Sequence, residues 1–280
     1  MNVAPEIDFY KGDVSSVDEI RAKLGTFEGG EITCEKNDSD GIAKICINHP
    51  EKRNAISGKM MIDFENIVHD LQKWENGKGV IIYGANDIFC SGGDLSYAKK
   101  ENTPRSGYEM SIFMQHLTNK FSQSTLVSVA YINGGGAIGG GSEIITACDF
   151  RLCCSDEKTK IGFVHSKMGI VPAWGGTRRL VDIVGRRKAL DLILTAKLLN
   201  NKEALQIGLV DDIVNDFQQA YEWLASRVKA HRSITRAAKA SVLNGSLITA
   251  DEEELERKIF APLWGGAANK AALQMSIKHK

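Results

Sequence analysis

Apolar positions along the chain recur with two periods. From Ile42 to Asn48 the residues Ala43, Ile45 and Ile47 alternate with Ile42, Cys46 and Asn48, the period-two pattern of a strand. From Lys59 to Trp74 the spacing changes: Met60, Phe64, Ile67, Leu71 and Trp74 recur every three or four residues, which predicts a helix with one apolar stripe. Val80–Tyr83 and Leu126–Ile132 are short, nearly continuous apolar runs, with a helical pattern near Ser106–Phe121 between them. Buried runs that alternate with helices predict parallel strands joined by crossovers. From about Arg186 helical patterns follow one another, over Lys188–Thr195, Asn201–Gly208, Phe217–Lys229, Thr235–Leu243 and Asp251–Leu263. The last begins with four acidic residues, which favour a helix start. The expected organisation is a loosely attached N-terminal extension (1–30), a mixed α/β core (31–200) and a helical C-terminal region (201–280).

Composition narrows the classes. The 280 residues are 43% hydrophobic, enough for a full core without metal or disulfide staples. Thirty-five basic and thirty-five acidic residues cancel, so the basic excess of a nucleic-acid binder is missing. No apolar run approaches the ~20 residues of a membrane span. The six cysteines form no C-x-x-C pair and no zinc spacing, which reads as reduced core thiols; Cys153 and Cys154, adjacent on an expected strand, point to opposite faces. The opening stretch Met1–Leu24 carries five acidic residues, unlike a mitochondrial transit peptide, so the cytosol is the expected address.

Two glycine-rich turns hold the candidate chemistry. Phe89-Cys90-Ser91-Gly92-Gly93-Asp94-Leu95 follows the run Val80–Tyr83. Asn133-Gly134-Gly135-Gly136-Ala137-Ile138-Gly139-Gly140-Gly141-Ser142-Glu143 follows Leu126–Ile132 and opens a helix. Glycine lets a ligand approach the backbone, and a helix start offers N–H groups with no intrahelical partner. Two such turns after neighbouring strands can aim two N–H groups at one oxygen, an arrangement worth about 3–4 kcal/mol per donor to a transition state. The second turn also fits the dinucleotide spacing G-x-G-x-x-G through Gly134, Gly136 and Gly139, but it lies mid-chain without the acidic partner that fingerprint needs. Tight turns made only for packing are the plain alternative.

These turns, with the loop Arg53-Asn54-Ala55 and the stretch Gly169-Ile170-Val171-Pro172-Ala173-Trp174-Gly175-Gly176-Thr177, resemble the crotonase (enoyl-CoA hydratase/isomerase) superfamily from about Ile42 to Val214. The resemblance implies an α/β fold with a ββα spiral core, and a helical C-terminal region that joins subunits and closes the CoA pocket. It implies homotrimers or dimers of trimers, and an acyl-CoA substrate with no separate cofactor and no metal. It assigns the thioester oxygen to the N–H groups of Ser91 and Gly140. Lys52, Arg53 and the backbone of Ala55 and Gly93 fall along CoA; Gly92, Asp94, Leu95 and Gly139 of the two turns are expected to bind the same acyl-CoA, Asp94 being a cap or a catalytic acid.

Hydratases of this family use two glutamates. The first falls on Glu143, but the second position holds His165. The stretches 163–176 and 263–269 resemble, more narrowly, family members that remove CO₂ from short branched malonyl-CoA thioesters (ethylmalonyl-CoA, less well methylmalonyl-CoA) as metabolite proofreading. Loss of CO₂ leaves an enolate that amide donors stabilise, and it needs no general base. A second carboxylate ~4 Å from the leaving one would repel it by about 4 kcal/mol at an effective dielectric near 20. A histidine removes that repulsion and can hydrogen-bond. The expectation is that His165 places the leaving carboxylate, that Glu143 or a water it orients protonates Cα, and that Trp174 limits acyl size. A hydratase or double-bond isomerase, or a non-catalytic homologue, is the alternative.

Overall fold

The computed structural model describes residues 11–244. In chain order the elements are α1 (Val17–Gly25), β1 (Glu31–Asn37), β2 (Ile42–Asn48), α2 (Gly58–Lys73), β3 (Gly79–Gly84), α3 (Leu95–Lys100), α4 (Pro104–Ser122), β4 (Val127–Ile132), β5 (Ala137–Ile138), α5 (Gly140–Thr146), β6 (Phe150–Cys154), β7 (Ile161–Gly162), α6 (Gly176–Val184), α7 (Arg186–Thr195), α8 (Asn201–Gln206), β8 (Asp212–Val214), α9 (Phe217–Arg227) and α10 (Arg232–Asn244). The expected helix 251–263 and the stretch 263–269 lie outside the described residues. Among the described residues no helix is long and apolar enough to cross a membrane.

Six strands form one sheet in the order β1-β2-β3-β4-β6-β8, while β5 and β7 pair separately. Strands β2, β3, β4, β6 and β8 run parallel; β1 is antiparallel to β2. The period-two alternation divides the side chains between two cores. Ala43, Ile45, Ile47, Val80, Ile82, Ala130 and Cys153 face α1, α2 and α4, whereas Ile42, Ile81, Val129, Leu152 and Cys154 face Ala220 and Leu224 of α9. Cys153 and Cys154 thus point to opposite faces, as adjacent strand residues must. On the first face Phe64 of α2 meets Phe121 of α4 edge to face at 5.3 Å.

Residues 11–30, the described part of the opening segment, depart from the loose attachment expected of it. Ser16 starts α1 with a reciprocal capping box to Glu19, and Ile20 and Leu24 are buried. Strand β1 shows almost no alternation in the sequence, because it is an edge strand with Ile32 its one buried residue. Past residue 200 the chain still builds the sheet, since β8 pairs with β6 and α9 covers the second face.

The first segment is tied to α4 through Glu109, whose carboxylate accepts from the Ser15 amide at 3.1 Å and from Arg105 at 2.8 Å. Burial alone would raise its pKa, but Arg105, Ser15 and Lys23 outweigh burial and hold it at about 2, against an ordinary 4.5. A depressed folded-state pKa lends stability that is full above 4.5 and is lost as pH falls toward about 2. Glu109→Gln should therefore cost about 1.5–3 kcal/mol near neutral pH. Urea unfolding should show that gap narrowing through the same acid window.

Candidate active site

Strand ends place both glycine turns at one edge of the sheet, and the backbone then stitches them together. The Cys90 amide donates to Gly136 O at 3.1 Å, the Ile138 amide to Cys90 O at 2.9 Å, and the Gly135 amide to Asp87 O at 2.8 Å. A Cβ on Gly92, which holds φ +110°, would sit 3.2 Å from the Gly140 amide nitrogen. The turns therefore meet where the sequence places their chemistry. Gly134 and Gly136 are packing positions: a Cβ on either would overlap the Asp87 or Lys160 carbonyl, so these glycines face protein backbone rather than a nucleotide phosphate.

Within the first turn most amides are already engaged. Ser91 N–H donates to Arg53 O at 3.1 Å and its hydroxyl donates to Lys52 O. Gly92 N–H approaches Cys90 Sγ at 3.4 Å, and Asp94 N–H donates to Ile56 O at 2.8 Å. Gly93 N–H has no acceptor among the described residues. The donor expected at Ser91 is thus turned away toward the 52–54 loop, and of the amides of Ser91, Gly92 and Gly93 the free one belongs to Gly93. The bridge between Ile56 and Gly93 explains it: Ile56 binds the residues on either side of Gly93, which leaves the Gly93 amide facing the other way. In the second turn the Gly139 amide donates to Gly162 O at 2.9 Å, while Gly140 is the first residue of α5 and its N–H has no intrahelical acceptor.

Glu143, in the first turn of α5, is 1% exposed. One carboxylate oxygen faces His165 Nε2 at 3.0 Å and accepts from the Ala173 amide at 3.2 Å; the other accepts from the amides of Trp174 at 2.7 Å and Gly176 at 2.9 Å. Gly176 has to be glycine, since a Cβ there would lie 2.5 Å from Glu143 Cγ. With four donors on two oxygens, no position is left to carry a proton to substrate without first releasing a partner. The proton-delivering role expected of Glu143 does not fit this geometry. His165 is buried, and its Nδ1 has no hydrogen-bond partner among the described residues.

Trp174 lies 4% exposed, its indole N–H donating to Met110 Sδ at 2.9 Å. Its six-membered ring packs against Gly140 and Gly93, whose added Cβ atoms would fall 2.4 Å and 3.4 Å from it. The loop bearing Trp174 is pinned by α4: Ser111 donates to Ala173 O and Thr118 to Trp174 O, with Arg179 adding a bond to Trp174 O. Gly93, Gly140, Glu143, His165 and Trp174 are therefore contiguous.

The expected CoA residues surround this group with mixed outcomes. Asp94 caps α3 by accepting from the Ser96 amide. Lys52 Nζ binds Asp94 at 2.7 Å, so this ammonium already has an anionic partner. Burial alone would raise the Asp94 pKa, but the Lys52 and Ser96 bonds outweigh it and hold the carboxyl below its ordinary range. Arg53 is exposed at φ 54°, Ala55 is buried with its carbonyl 2.8 Å from His49 Nδ1, and Leu95 is exposed on α3. Sequence reasoning missed Met110, Thr118 and Arg179, whose contribution is to hold the Trp174 loop; Arg179 follows a glycine-rich turn, which is the one signal for it.

The enoyl-CoA hydratase/isomerase family model matches residues 37–277. The chain is 42% identical over 268 residues to the ethylmalonyl-CoA decarboxylase of Xenopus laevis, covering 94% of this chain and 88% of that one. It is 40% identical to the Homo sapiens protein of that name, covering 91% and 84%. Among solved structures, enoyl-CoA hydratase from Thermoplasma volcanium GSS1 superposes with TM-score 0.78 at 27% identity, covering 88% of this chain and 97% of that one. A Thermobifida fusca YX protein solved with acetoacetyl-CoA gives 0.72 at 25% identity, covering 88% and 97%. The α/β architecture is thus the crotonase fold, and the chain belongs to the enoyl-CoA hydratase/isomerase family.

Proposed function

We propose that this protein decarboxylates short branched malonyl-CoA thioesters, ethylmalonyl-CoA first and methylmalonyl-CoA less well, through an enolate held by the N–H groups of Gly93 and Gly140. The observation that carries this reading is the saturated Glu143 carboxylate facing His165. Hydration needs a carboxylate free to orient water and a second acid–base group beside it. The step that releases CO₂ needs neither, only stabilisation of the charge that develops on the thioester oxygen. The likeness to proteins named ethylmalonyl-CoA decarboxylase supports the substrate.

In this mechanism the thioester carbonyl enters between the two glycine turns and accepts from both amides. The carboxylate on Cα lies toward His165, out of reach of any second acidic side chain. Electrons from the breaking carbon–carbon bond move onto the thioester oxygen, where the two donors meet them. The Trp174 indole closes the site beside Gly93 and Gly140 and keeps water from the desolvated carboxylate. The chemistry calls for no metal and no cofactor other than the CoA carried by the substrate. Metabolite proofreading, the removal of a wrongly carboxylated thioester, is the role we assign to it.

Two further features belong to the same reading. Met168, Ile170 and Val171, with Leu190 and Leu194 of α7, are exposed apolar side chains on the turn after His165 and the helix packed against it. They support burial against further copies of the chain in a trimer or dimer of trimers. All six cysteines are free thiols, which supports a reducing compartment such as the cytosol.

Incubation with ethylmalonyl-CoA, methylmalonyl-CoA and crotonyl-CoA, followed by CO₂ release and product mass, tests the reading. Release of CO₂ from the first two, fastest from ethylmalonyl-CoA, with crotonyl-CoA unchanged is the expected result; hydration of crotonyl-CoA without CO₂ release favours the hydratase. Trp174→Ala should admit longer branches, shifting the ratio of kcat/KM for butylmalonyl-CoA to that for ethylmalonyl-CoA by about tenfold or more. An unchanged ratio refutes the size-limiting role of the indole.

A further inference from the structure

The buried groups next to Gly93 and Gly140 leave one polar atom unexplained. His165 Nδ1 has no hydrogen-bond partner among the described residues, although the side chain is only 8% exposed. A buried polar atom without a partner is costly, and its completion by a bound molecule is the simplest account of its persistence. The other ring nitrogen is fixed, since Nε2 lies 3.0 Å from Glu143 Oε1. Glu143 cannot move to serve elsewhere without giving up the amides of Ala173, Trp174 and Gly176.

We propose that Glu143 and His165 act as a dyad: Glu143 is a positioning residue that orients the imidazolium, and His165 Nδ1–H holds the substrate carboxylate and then protonates Cα. The proposal rests on the decarboxylase reading above. A neutral ring that donates from Nε2 to Glu143 would turn the Nδ1 lone pair toward an anionic substrate, two acceptors facing each other. With the imidazolium each nitrogen donates, one to Glu143 and one to the carboxylate.

The step balances without any added reagent. The bond from Cα to the carboxylate carbon breaks, its electron pair moves onto the thioester oxygen held by Gly93 and Gly140, and CO₂ leaves. The enolate pair then forms a Cα–H bond with the Nδ1 proton, which leaves neutral imidazole with Nε2–H still on Glu143. A solvent proton restores Nδ1–H. Overall one malonyl thioester and one proton give CO₂ and a saturated acyl thioester. Because the donor occupies the face from which CO₂ departs, hydrogen replaces the carboxyl group with retention of configuration.

The test is one turnover of a single enantiomer of ethylmalonyl-CoA in D₂O, with enzyme in excess so that reaction outruns exchange of the substrate's own Cα–H. The wild-type protein should place deuterium at C2 of butyryl-CoA with retention. His165→Asn keeps an N–H near the Nδ1 position but no transferable proton, so it should still release CO₂ and scramble the C2 configuration. His165→Gln keeps the contact to Glu143 and loses the second donor, so kcat should fall by about 10²-fold with the same scrambling. Either variant decides the matter if the other does not fold. Inversion by the wild-type protein, or undiminished stereospecific labelling by a folded His165 variant, overturns the dyad while leaving the decarboxylase in place. A wild-type protein that releases no CO₂ from any malonyl thioester overturns the decarboxylase reading, and the dyad with it.

Discussion

Glu143 is a carboxylate almost wholly removed from water, and a buried charge persists only where donors replace its hydration. Here the replacement comes from three directions: the His165 ring after β7, the Ala173 and Trp174 amides of the following loop, and the Gly176 amide at the start of α6. Those segments have few apolar anchors of their own, and residues 166–171 are exposed. One anion therefore sets where the imidazole, the indole and the α6 N-terminus come to rest. Removing it would leave three amides, two of them buried, and a ring nitrogen without acceptors, so this carboxylate holds the shape of the whole group.

The sheet gives that anion its fixed place. Parallel strands β3 and β4 direct their C-terminal ends to the same edge, and the turns that follow bind each other through Cys90, Gly136 and Ile138. Such edges are where open α/β sheets place their ligands. Backbone donors held by a hydrogen-bonded frame need little reorganisation when charge develops beside them, which is the basis of electrostatic catalysis. Helix α5 starts directly at Gly140, so its dipole adds to the amide's pull on an oxygen there.

On the proposed decarboxylase reading, His165 and Trp174 fit this frame to a malonyl thioester. In that proposal the histidine leaves the substrate carboxylate without a second acidic neighbour, and the indole packs against Gly93 and Gly140. Arg179 lies beneath, donating to the carbonyls of Trp174 and Glu143, so that the first turn of α5 and the loop before α6 share one cation. Burial lowers its pKa and the Glu143 charge opposes that shift.

The amino-acid sequence by itself determined the parallel core strands, the long helices α2 and α4, and the two glycine turns, because each carries a periodic or glycine signal within a single segment. It also placed Gly140, Glu143, His165 and Trp174 in one site by resemblance. Strand β1 and helix α1 left weaker traces: the strand is an edge with one buried residue, and the helix is short with two. Which amide of Ser91-Gly92-Gly93 is free was decided only by pairing with Ile56, a residue thirty-odd positions away that no local pattern connects to it. The engagement of Lys52 by Asp94 and the saturation of Glu143 were likewise settled in three dimensions. A side chain's chemical type is written in the chain, but whether its donors and acceptors remain available depends on the neighbours that folding brings to it.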